Sequence, residues 1–336
     1  MKDRKIDLVY LWVDSNDSEW RAEKERWFLK IRGKSETYAA ANTAARWRDN
    51  DELRYSLRSA EKFAPWINHI YIITGFGQVP KWLDTNNPKI TIVPHESIIP
   101  ADVLPTFNSS TIEMCITNIP NLSEYFLLAN DDTFFNQPLK PDFFFDKNGR
   151  AIVWYSKHPT VNRNFEQWLH SMDGYHQTLA WTNKLIYDVF GRDYMKLKPG
   201  HNIDPYIKSS IITVLNHPDI APKINAQIKN KFRTTQEIQR WIFNLYDHIH
   251  GRAILRRARR FKRTKYKLYN TLYNFVHYFE CKNSPIFCTD AKKEKLLKIA
   301  PPLFCINDSD DNTDETRENN KKFLETRFPE KSSFEI

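Results

Sequence analysis

The sequence predicts an α/β fold: a Rossmann-like, mostly parallel sheet flanked by helices and followed by a mainly helical C-terminal part. Two observations predict this class. Short β-branched runs alternate with amphipathic stretches through the first 150 residues, and most of these runs stop at a polar residue. Because parallel strands end at the same edge of a sheet, those polar residues are expected to share one ligand-binding edge.

Four runs are predicted to form the strands of that sheet, since each is rich in β-branched or aromatic residues and is bounded by turn-forming residues. They are IDLVYLWVD (6–14), HIYIITG (69–75), KITIVPH (89–95) and YFLLA (125–129). In a parallel arrangement, Asp14, Gly75, His95 and the pair Asp131 and Asp132 would line one edge.

Helices are predicted between the strands. Residues 17–32 place their large apolar side chains near helical spacing, and residues 51–66 start at a capping Asp51 and close at a proline. A shorter helix over about 108–118 precedes the fourth strand. The pattern changes near residues 150 and 300, which divides the chain into an α/β core (1–150), a mainly helical part (151–300) and a C-terminal segment (301–336).

The composition indicates a globular chain and excludes several function classes. Of the 336 residues 41% are hydrophobic, and the 8 glycines form neither a GxGxxG fingerprint nor a Walker A loop. The 4 cysteines contain no CxxC pair, which favours a reduced cytosolic protein over a disulfide framework or a zinc site. No apolar run reaches the roughly 18 residues of a membrane span, so we expect a cytoplasmic protein, either soluble or peripheral at the inner face of the membrane.

The net charge of +9 is concentrated in one part of the chain. Residues 221–300 contain 19 Lys and Arg against 5 Asp and Glu, and RRARRFKRTKYK (256–267) packs eight basic residues into twelve. Such a run is compatible with binding to nucleic acid, an anionic membrane or an anionic polymer, and also with a solvated helix face. Peripheral contact of residues 252–267 with an anionic membrane is the prediction retained, with no nucleic-acid partner.

Two apolar runs end in an Asn-Asp sequence. One is followed by Asn130, Asp131 and Asp132, and the other by Asn307 and Asp308. Ionised carboxylates are destabilised by desolvation unless a partner compensates them, so a hard divalent cation is one interpretation of each motif. An ordinary Asx turn is the other, and spacing alone leaves both open.

Three further residues are candidates for chemistry. Asp14 closes the first strand, His201 follows a glycine in a loop, and Arg233 precedes the start of a helix. A loop histidine can act as a general base, and an arginine beside a helix N-terminus can bind phosphate. Each residue also has a structural interpretation, as a turn former, a surface side chain or a rim salt bridge.

Four segments of the chain share their sequence with one family. They are IDLVYLWVDSNDSEW, the stretch from DNDELRYSLRSAEKFAPW to PHESIIP, LPTFNSSTIEMCITNIPNLSEYFLLANDDTFF and FCINDS. Together they resemble the Stealth family of sugar-1-phosphate transferases, which build bacterial capsular and cell-wall polysaccharides. The resemblance implies a GT-A-like core that binds a nucleotide sugar, and Mg²⁺ or Mn²⁺ as cofactor. It also implies transfer of a hexose or N-acetylhexosamine phosphate from a UDP-sugar donor to a saccharide acceptor, with release of UMP.

The resemblance also implies the site residues. By position in the family regions, the catalytic residues are Asp14, Asp51, His201 and Arg233, the donor-binding residues are Arg48, Arg54, Asn108, Ser109 and Asn130, and the metal ligands are Asn307, Asp308, Asp131 and Asp132. In the resulting hypothesis His201 or Asp14 takes the proton of the acceptor hydroxyl, while Arg233 and the metal hold the diphosphate.

Two alternatives remain open at this point. A metal-dependent glycosyltransferase would use the same acids but release UDP. A non-catalytic polyanion-binding protein would depend on residues 252–267 and would tolerate Asp308→Ala, which the transferase hypothesis predicts to abolish turnover.

Overall fold

The computed structural model describes residues 4–31, 44–157, 165, 169, 172–257, 279–282, 290–308, 310 and 312–336. The strands are β1 (Ile6–Leu11), β2 (Ile70–Thr74), β3 (Ile90–Pro94), β4 (Tyr125–Asn130), β5 (Thr133–Phe135), β6 (Ala151–Lys157), β7 (Leu197–Pro199), β8 (Asp204–Ile207), β9 (Ala253–Arg257), β10 (Phe279–Lys282) and β11 (Leu303–Asn307). The helices are α1 (Ser18–Ile31), α2 (Glu52–Phe63), α3 (His95–Ile98), α4 (Ser109–Met114), α5 (Gly174–Phe190), α6 (Lys208–Leu215), α7 (Ala221–Gln227), α8 (Trp241–Ile249), α9 (Asp290–Ile299) and α10 (Asp314–Arg327).

A five-stranded sheet in the order β3-β2-β1-β4-β8 forms the centre of the molecule. Strands β1 to β4 run parallel, and β8 pairs antiparallel with β4. Their apolar side chains are largely buried, and every residue of β2 is buried, as in a parallel sheet covered on both faces. The predicted α/β class with a mostly parallel sheet is confirmed, and all four predicted strands are present.

Two smaller three-stranded sheets adjoin the central one, in the orders β10-β11-β5 and β7-β6-β9. Only Asp131 and Asp132 separate β4 from β5, so this turn connects the central sheet to the sheet that contains β11. β11 runs antiparallel to β5 with Cys305 opposite Thr133, and the Ile306 amide donates to the Asp132 carbonyl oxygen at 3.0 Å. The C-terminal strand therefore lies directly beside the Asp131–Asp132 turn.

Helix α2 is bonded to β5 through buried hydroxyl groups. Ser56 Oγ donates to the Thr133 carbonyl oxygen at 2.6 Å, and the Phe135 amide donates to Ser59 Oγ at 3.0 Å. A second bond network connects α2 to the end of the chain, where Arg58 donates to both carboxylate oxygens of Glu335 at 2.7 Å. The start of α2 is thereby fixed relative to the Asp131–Asp132 turn.

The prediction that Asp51 caps α2 is wrong. Asp51 stands at the capping position, but its backbone is left-handed (φ 73°) and its side chain makes no capping hydrogen bond. A capping residue needs an extended backbone to aim its oxygen at the first free amides of the helix. The Asp51 carboxylate instead pairs with Arg54 at 3.2 Å and with Lys321 of α10 at 3.3 Å.

The part predicted as mainly helical, residues 151–300, also contains strands. The sequence predicts helices over DPYIKSSIITVLN and TTQEIQRWIFNLYDHIHGRAILRRARRF, but DPYI forms the whole of β8 and AILRR forms β9. Gly251 (φ 71°) interrupts the chain after α8, and the apolar residues that follow pair with the buried strand β6. Tertiary pairing thus overrides local helical preference. Of the basic segment, 252–257 includes this strand and 258–267 lies outside the described residues.

One hydrophobic core joins residues from both halves of the chain, for example Val9, Phe126, Trp241 and Phe304. The proposed division near residues 150 and 300 stays a prediction. At the level of β5 and β11, Phe134 stacks on Phe304 with ring centroids 4.8 Å apart, and Phe304 stacks on Phe328 at 6.4 Å. Across the described residues, every helix is too short or too polar to cross a bilayer.

Candidate active site

Carboxyl groups from three segments gather where β1 and β4 end. Burial and the neighbouring charges of Asp51 and Asp14 raise the pKa of Asp49 to about 6. Burial, followed by the charge of Asp131, raises the pKa of Glu52 well above its ordinary value. We call Asp14, Asp49, Glu52, Asp131 and Asp132 the acid cluster.

Asp131 is also repelled by neighbouring carboxylates. Burial, followed by the charges of Asp132 and Asp49, raises the pKa of Asp131 well above its ordinary value. Full ionisation of carboxyls in such surroundings is costly near neutral pH unless a cation compensates them. The acid cluster therefore has the electrostatic character of a cation-binding site.

A tight turn before α2 holds two members of the acid cluster in place. The amide and the side-chain nitrogen of Asn50 each donate to Glu52 at 2.7 Å, and the Asp51 amide donates to Asp49 Oδ1 at 2.9 Å. Asp14 is held in place by two backbone hydrogen bonds to the Gln78 side chain. Its amide donates to Gln78 Oε1 at 3.0 Å, and its carbonyl oxygen accepts from Gln78 Nε2 at 2.8 Å.

His201 lies next to Asn130 and Asp132. Its Nε2 is 2.8 Å from Asn130 Nδ2 and 3.4 Å from Asp132 Oδ1, and Cys305 Sγ donates to Asp132 Oδ2 at 3.3 Å. Within the described residues, Asp132 Oδ1 is buried and accepts no hydrogen bond. Ligand atoms of Asp132, His201 and Cys305 all lie within 4.8 Å of one another.

The orientation of the Asn130 amide is set by a buried arginine. Arg240 donates to Glu113 Oε1 at 2.8 Å and lies 3.4 Å from Asn130 Oδ1. Because a guanidinium only donates, the Asn130 oxygen faces Arg240 and its nitrogen faces His201. His201 Nε2 is therefore the acceptor of that hydrogen bond.

Asp308 has the opposite surroundings to Asp131. Its carboxylate accepts from Arg48 at 2.7 Å and from Asn312 Nδ2 at 2.7 Å, with Asn50 Nδ2 at 3.4 Å and Arg317 Nε at 3.6 Å. Its side chain is 6% exposed. Two guanidinium groups and two amides thus enclose this carboxylate.

Asn108 and Ser109 brace the loop that carries Arg233. Arg233 donates to Ser109 Oγ, and Asn108 accepts from the Ser110 amide at 3.0 Å at the start of α4. Asn108 also donates to Glu237 at 2.7 Å, and Glu237 in turn accepts from the Thr234 amide at 3.0 Å. The loop from Arg233 to Glu237 is therefore bonded to the N-terminus of α4.

The predicted residues thus fall into three groups: Asn130, Asp131 and Asp132 with His201; Arg48 with Asp308; and Asn108 and Ser109 with Arg233. Asp14 joins the first group through its electrostatic effect on Asp49. Arg54 pairs with Asp51 and lies over the Trp82 ring at 5.1 Å, and Asn307 stands opposite Lys282 in the strand register. The catalytic, donor-binding and metal roles of these residues stay predictions.

Sequence reasoning missed several residues at this edge, namely Asp49, Glu52, Glu113, Asp204, Arg240 and Cys305. Asp49 and Glu52 flank the predicted Asp51 in RDNDE, so their proximity was the available signal. Arg240 gave none, since it precedes α8 among other polar residues. Asp204, the first residue of β8, faces Arg240 at 3.9 Å, and burial raises its pKa to about 7 although Arg240 and His201 lower it.

Comparison with known proteins identifies the family. Two family models match: Stealth protein CR1, conserved region 1, over residues 4–27, and Stealth protein CR2, conserved region 2, over residues 46–153. The chain is 31% identical over 353 residues to the capsular polysaccharide phosphotransferase WcwK of Streptococcus pneumoniae, covering 98% of each chain. It is 32% identical to the capsular polysaccharide phosphotransferase SacB of Neisseria meningitidis serogroup A, covering 98% of this chain and 57% of that protein.

A solved structure, the galactosyltransferase LgtC in complex with donor and acceptor sugar analogs, covers 97% of each chain at 10% identity. Its TM-score of 0.44 is too low to support a conclusion. The full-length match to WcwK and the two matching regions agree with each other. The chain therefore belongs to the Stealth family of capsular polysaccharide phosphotransferases.

Proposed function

We propose that this chain transfers a hexose phosphate or N-acetylhexosamine phosphate from a UDP-sugar to a hydroxyl of a saccharide acceptor and releases UMP. The product is a phosphodiester in a capsular or cell-wall polysaccharide. The acid cluster is the observation that carries the proposal, because it adjoins His201 through Asp132 and the Arg48–Asp308 pair through Asn50. Phosphoryl transfer requires positioning and charge neutralisation of this kind.

Membership of the family makes the chain an enzyme, a transferase of phosphorus-containing groups. The non-catalytic polyanion-binding alternative is therefore excluded. Contact of residues 252–267 with an anionic membrane remains a proposal, supported by the basic composition of the segment.

The acid cluster fits a hard divalent cation, Mg²⁺ or Mn²⁺. Mg²⁺ takes oxygen ligands, keeps several waters and commonly uses one or two carboxylates together with substrate phosphates. Asp131 and Asp132 would hold it, since Asp132 Oδ1 is buried without a hydrogen-bond donor in the described residues, and burial together with the charge of Asp132 raises the pKa of Asp131. When bound, the cation neutralises charge on the diphosphate.

The contacts of Asp308 favour a positioning role for this residue. Its oxygens already face Arg48 and Arg317, so binding a cation there would require these guanidinium groups to leave. We propose that Asp308 holds Arg48 toward the donor diphosphate, with Arg233 as a second cationic group. The metal role of Asn307 and Asp308 implied by the family stays a prediction.

His201 is the preferred general base. Its Nε2 accepts a hydrogen bond from Asn130 and so carries a lone pair that the acceptor hydroxyl can use by displacing that bond. The hydroxyl oxygen bonds to the phosphorus that bears the sugar, its proton passes to Nε2, and the bond from that phosphorus to UMP breaks. The bond between the sugar and its phosphate oxygen stays intact, so the anomeric configuration is retained. Asp14 is the alternative base.

Separation of the nucleotides after reaction tests the proposal. Purified protein is incubated with a panel of UDP-sugars, saccharide acceptors and Mg²⁺, and UMP is the expected product. Asp132→Asn should abolish UMP release, whereas Asp188→Asn, the same change in an exposed helical ion pair, should not. UDP as the sole nucleotide product would establish the glycosyltransferase alternative and reject the proposal.

A further inference from the structure

We propose that Asp132, His201 and Cys305 form a second kind of metal site, which binds a thiophilic divalent cation such as Zn²⁺ and blocks the active site when occupied. The binding itself is independent of the proposed function. The inhibition rests on it, because Asp132 is also a proposed ligand of the hard cation.

Two distances among the three side chains, one to each oxygen of Asp132, are close to those of a tetrahedral zinc site. Zinc bonds of about 2.0–2.3 Å at tetrahedral angles put a nitrogen and an oxygen ligand about 3.3 Å apart, and a sulfur and an oxygen ligand about 3.6 Å apart. In this chain His201 Nε2 lies 3.4 Å from Asp132 Oδ1, and Cys305 Sγ lies 3.3 Å from Asp132 Oδ2. One ligand atom from each residue lies within 4.8 Å of the others, and side-chain rotation would have to bring all three onto one ion.

The donor set selects against Mg²⁺ and in favour of softer ions. Thiolate and imidazole suit Zn²⁺, whereas Mg²⁺ prefers carboxylate, carbonyl and water oxygens. Three protein ligands also leave a fourth tetrahedral position open for water. The two kinds of cation would therefore share Asp132 and otherwise use different neighbours, Asp131 for the hard ion and His201 with Cys305 for the soft one.

The fold supplies the thiol from a strand remote in sequence. Cys305 is fully buried in β11, opposite Thr133, and forms the inner wall beside Asp132. His201 is on the accessible side, with a quarter of its side chain exposed (25%), so an ion can enter past the imidazole. The absence of a CxxC pair led the sequence analysis to disfavour a zinc site. The cluster proposed here needs only one thiol, so that argument does not apply to it.

Binding has a defined structural consequence. The ion would take the lone pair of His201 Nε2 and release Asn130 Nδ2, while Arg240 continues to hold the Asn130 oxygen. The imidazole would then be unavailable as a base, and one carboxylate would be lost to the hard cation. Both effects predict inhibition that added Mg²⁺ relieves only partly.

Cobalt spectroscopy tests the site without reference to turnover. The protein carrying Cys281→Ser and Cys288→Ser is stripped with a chelator and titrated with Co²⁺ in the presence of excess Mg²⁺. We expect one Co²⁺ per chain, a sulfur-to-cobalt charge-transfer band with intense tetrahedral d–d bands, and their loss on adding Zn²⁺. Cys305→Ser should remove the charge-transfer band, and Cys115→Ser, which replaces another fully reduced buried thiol, should retain it.

A second variant guards against a folding defect in Cys305→Ser. His201→Gln keeps the thiol and should weaken Co²⁺ binding by at least about 10-fold, the loss seen even for outer-shell partners. A band that survives Cys305→Ser, or no band at all in the parent protein, overturns the proposal. Zn²⁺ that inhibits the Cys305→Ser enzyme as strongly as its parent overturns the inhibitory role. Absence of UMP release with every UDP-sugar would instead reject the proposed function and leave the cobalt result standing.

Discussion

Two strands of this protein end in the same pair of residues and have opposite electrostatic surroundings. Strand β4 ends at Asn130 and is followed by Asp131, and β11 ends at Asn307 and is followed by Asp308. Other carboxyls surround Asp131, and burial together with their charges raises its pKa. Arg48 and Arg317 surround Asp308. The Asn-Asp motif alone therefore does not determine the role of its aspartate. That role depends on the charged side chains that distant segments of the chain place around it.

The difference suggests a division of labour. A carboxyl that is surrounded by other carboxyls destabilises the fold, but it can serve as a ligand when a cation binds. A carboxylate between arginines stabilises the fold and positions those arginines. The same substitution should therefore lower stability at Asp308 but not at Asp131.

The largest expected effect is on catalysis at the first motif. Asp131→Asn should reduce UMP release by about 10²–10³-fold, the scale of losing a group that stabilises transition-state charge. Its stability should stay unchanged or rise, since a carboxyl repelled by Asp132 and Asp49 is removed. Turnover assays and urea denaturation of the metal-free protein measure the two quantities. Retained turnover, or a clear loss of stability, contradicts the comparison.

At the second motif the main effect should be on stability. Asp308→Asn should lower the free energy of unfolding by about 2–3 kcal/mol, less than the ~3–5 kcal/mol of a fully buried pair because Arg48 is 27% exposed. Adding Arg48→Gln should cost less than the sum of the single changes by about 1 kcal/mol, since the two side chains are in contact. Strictly additive effects in a urea-denaturation double-mutant cycle would show that the pair does not interact.

A pH series separates the cation-dependent acids from the rest. A raised pKa means that the folded state holds its protons longer than the unfolded chain, so stability falls as pH rises. The window runs from about pH 4 to the folded-state pKa values of about 6 for Asp49 and about 7 for Asp204. The Tm in a chelator should fall from pH 5 to pH 8, and Mg²⁺ should raise it more at pH 8 than at pH 5. An equal effect of Mg²⁺ at both values would argue against binding at the acid cluster.

Asp204→Asn is the matched control for that series. Asp204 faces Arg240 and lies outside the acid cluster, so its share of the pH dependence should be independent of Mg²⁺. The variant should flatten the curve between about pH 5 and 7 and leave the difference made by Mg²⁺ intact. Thermal melts with and without the cation measure both parts.

The smallest effect is expected where a pair is open to solvent. Lys321→Gln removes the 3.3 Å pair with Asp51, in which the lysine side chain is 38% exposed. Exposed pairs contribute up to about 1 kcal/mol, so we expect a change within that limit and unchanged UMP release. Lys322→Gln, which breaks a more exposed pair with Glu318 on the same helix, serves as the control. A loss of turnover in Lys321→Gln alone would place α10 in the reaction.

The sequence was sufficient for the elements of the central sheet because their signals are local. Strands β1 to β4 are β-branched or aromatic runs bounded by turn residues, and α2 has a clear apolar face. The segments DPYI and AILRR were misassigned because their strand conformation depends on pairing with β4 and β6. The secondary-structure preference of a short segment contains no information about a partner strand that lies elsewhere in the chain.

Several residues of the candidate site were named from the sequence, but their contacts with one another were not. Asp131, Asp308 and Arg48 were found, but that Arg48 pairs with Asp308 across 260 positions depends on the fold. Glu52 was not found, because a charged residue at the start of a helix normally faces water. Only the packing of α2 against β5 brings it beside Asp131 and makes it 6% exposed.

The two residues between β4 and β5 join one sheet to another, and β5 is packed against its neighbouring strand β11 through phenyl rings, with the centroids of Phe134 and Phe304 4.8 Å apart. Any change in ring size on this apolar side would shift Asp131 and Asp132 without altering a polar side chain. Natural variants with a different sugar preference can thus arise from the interior of the protein. A search for specificity determinants that stops at the residues touching substrate would overlook them.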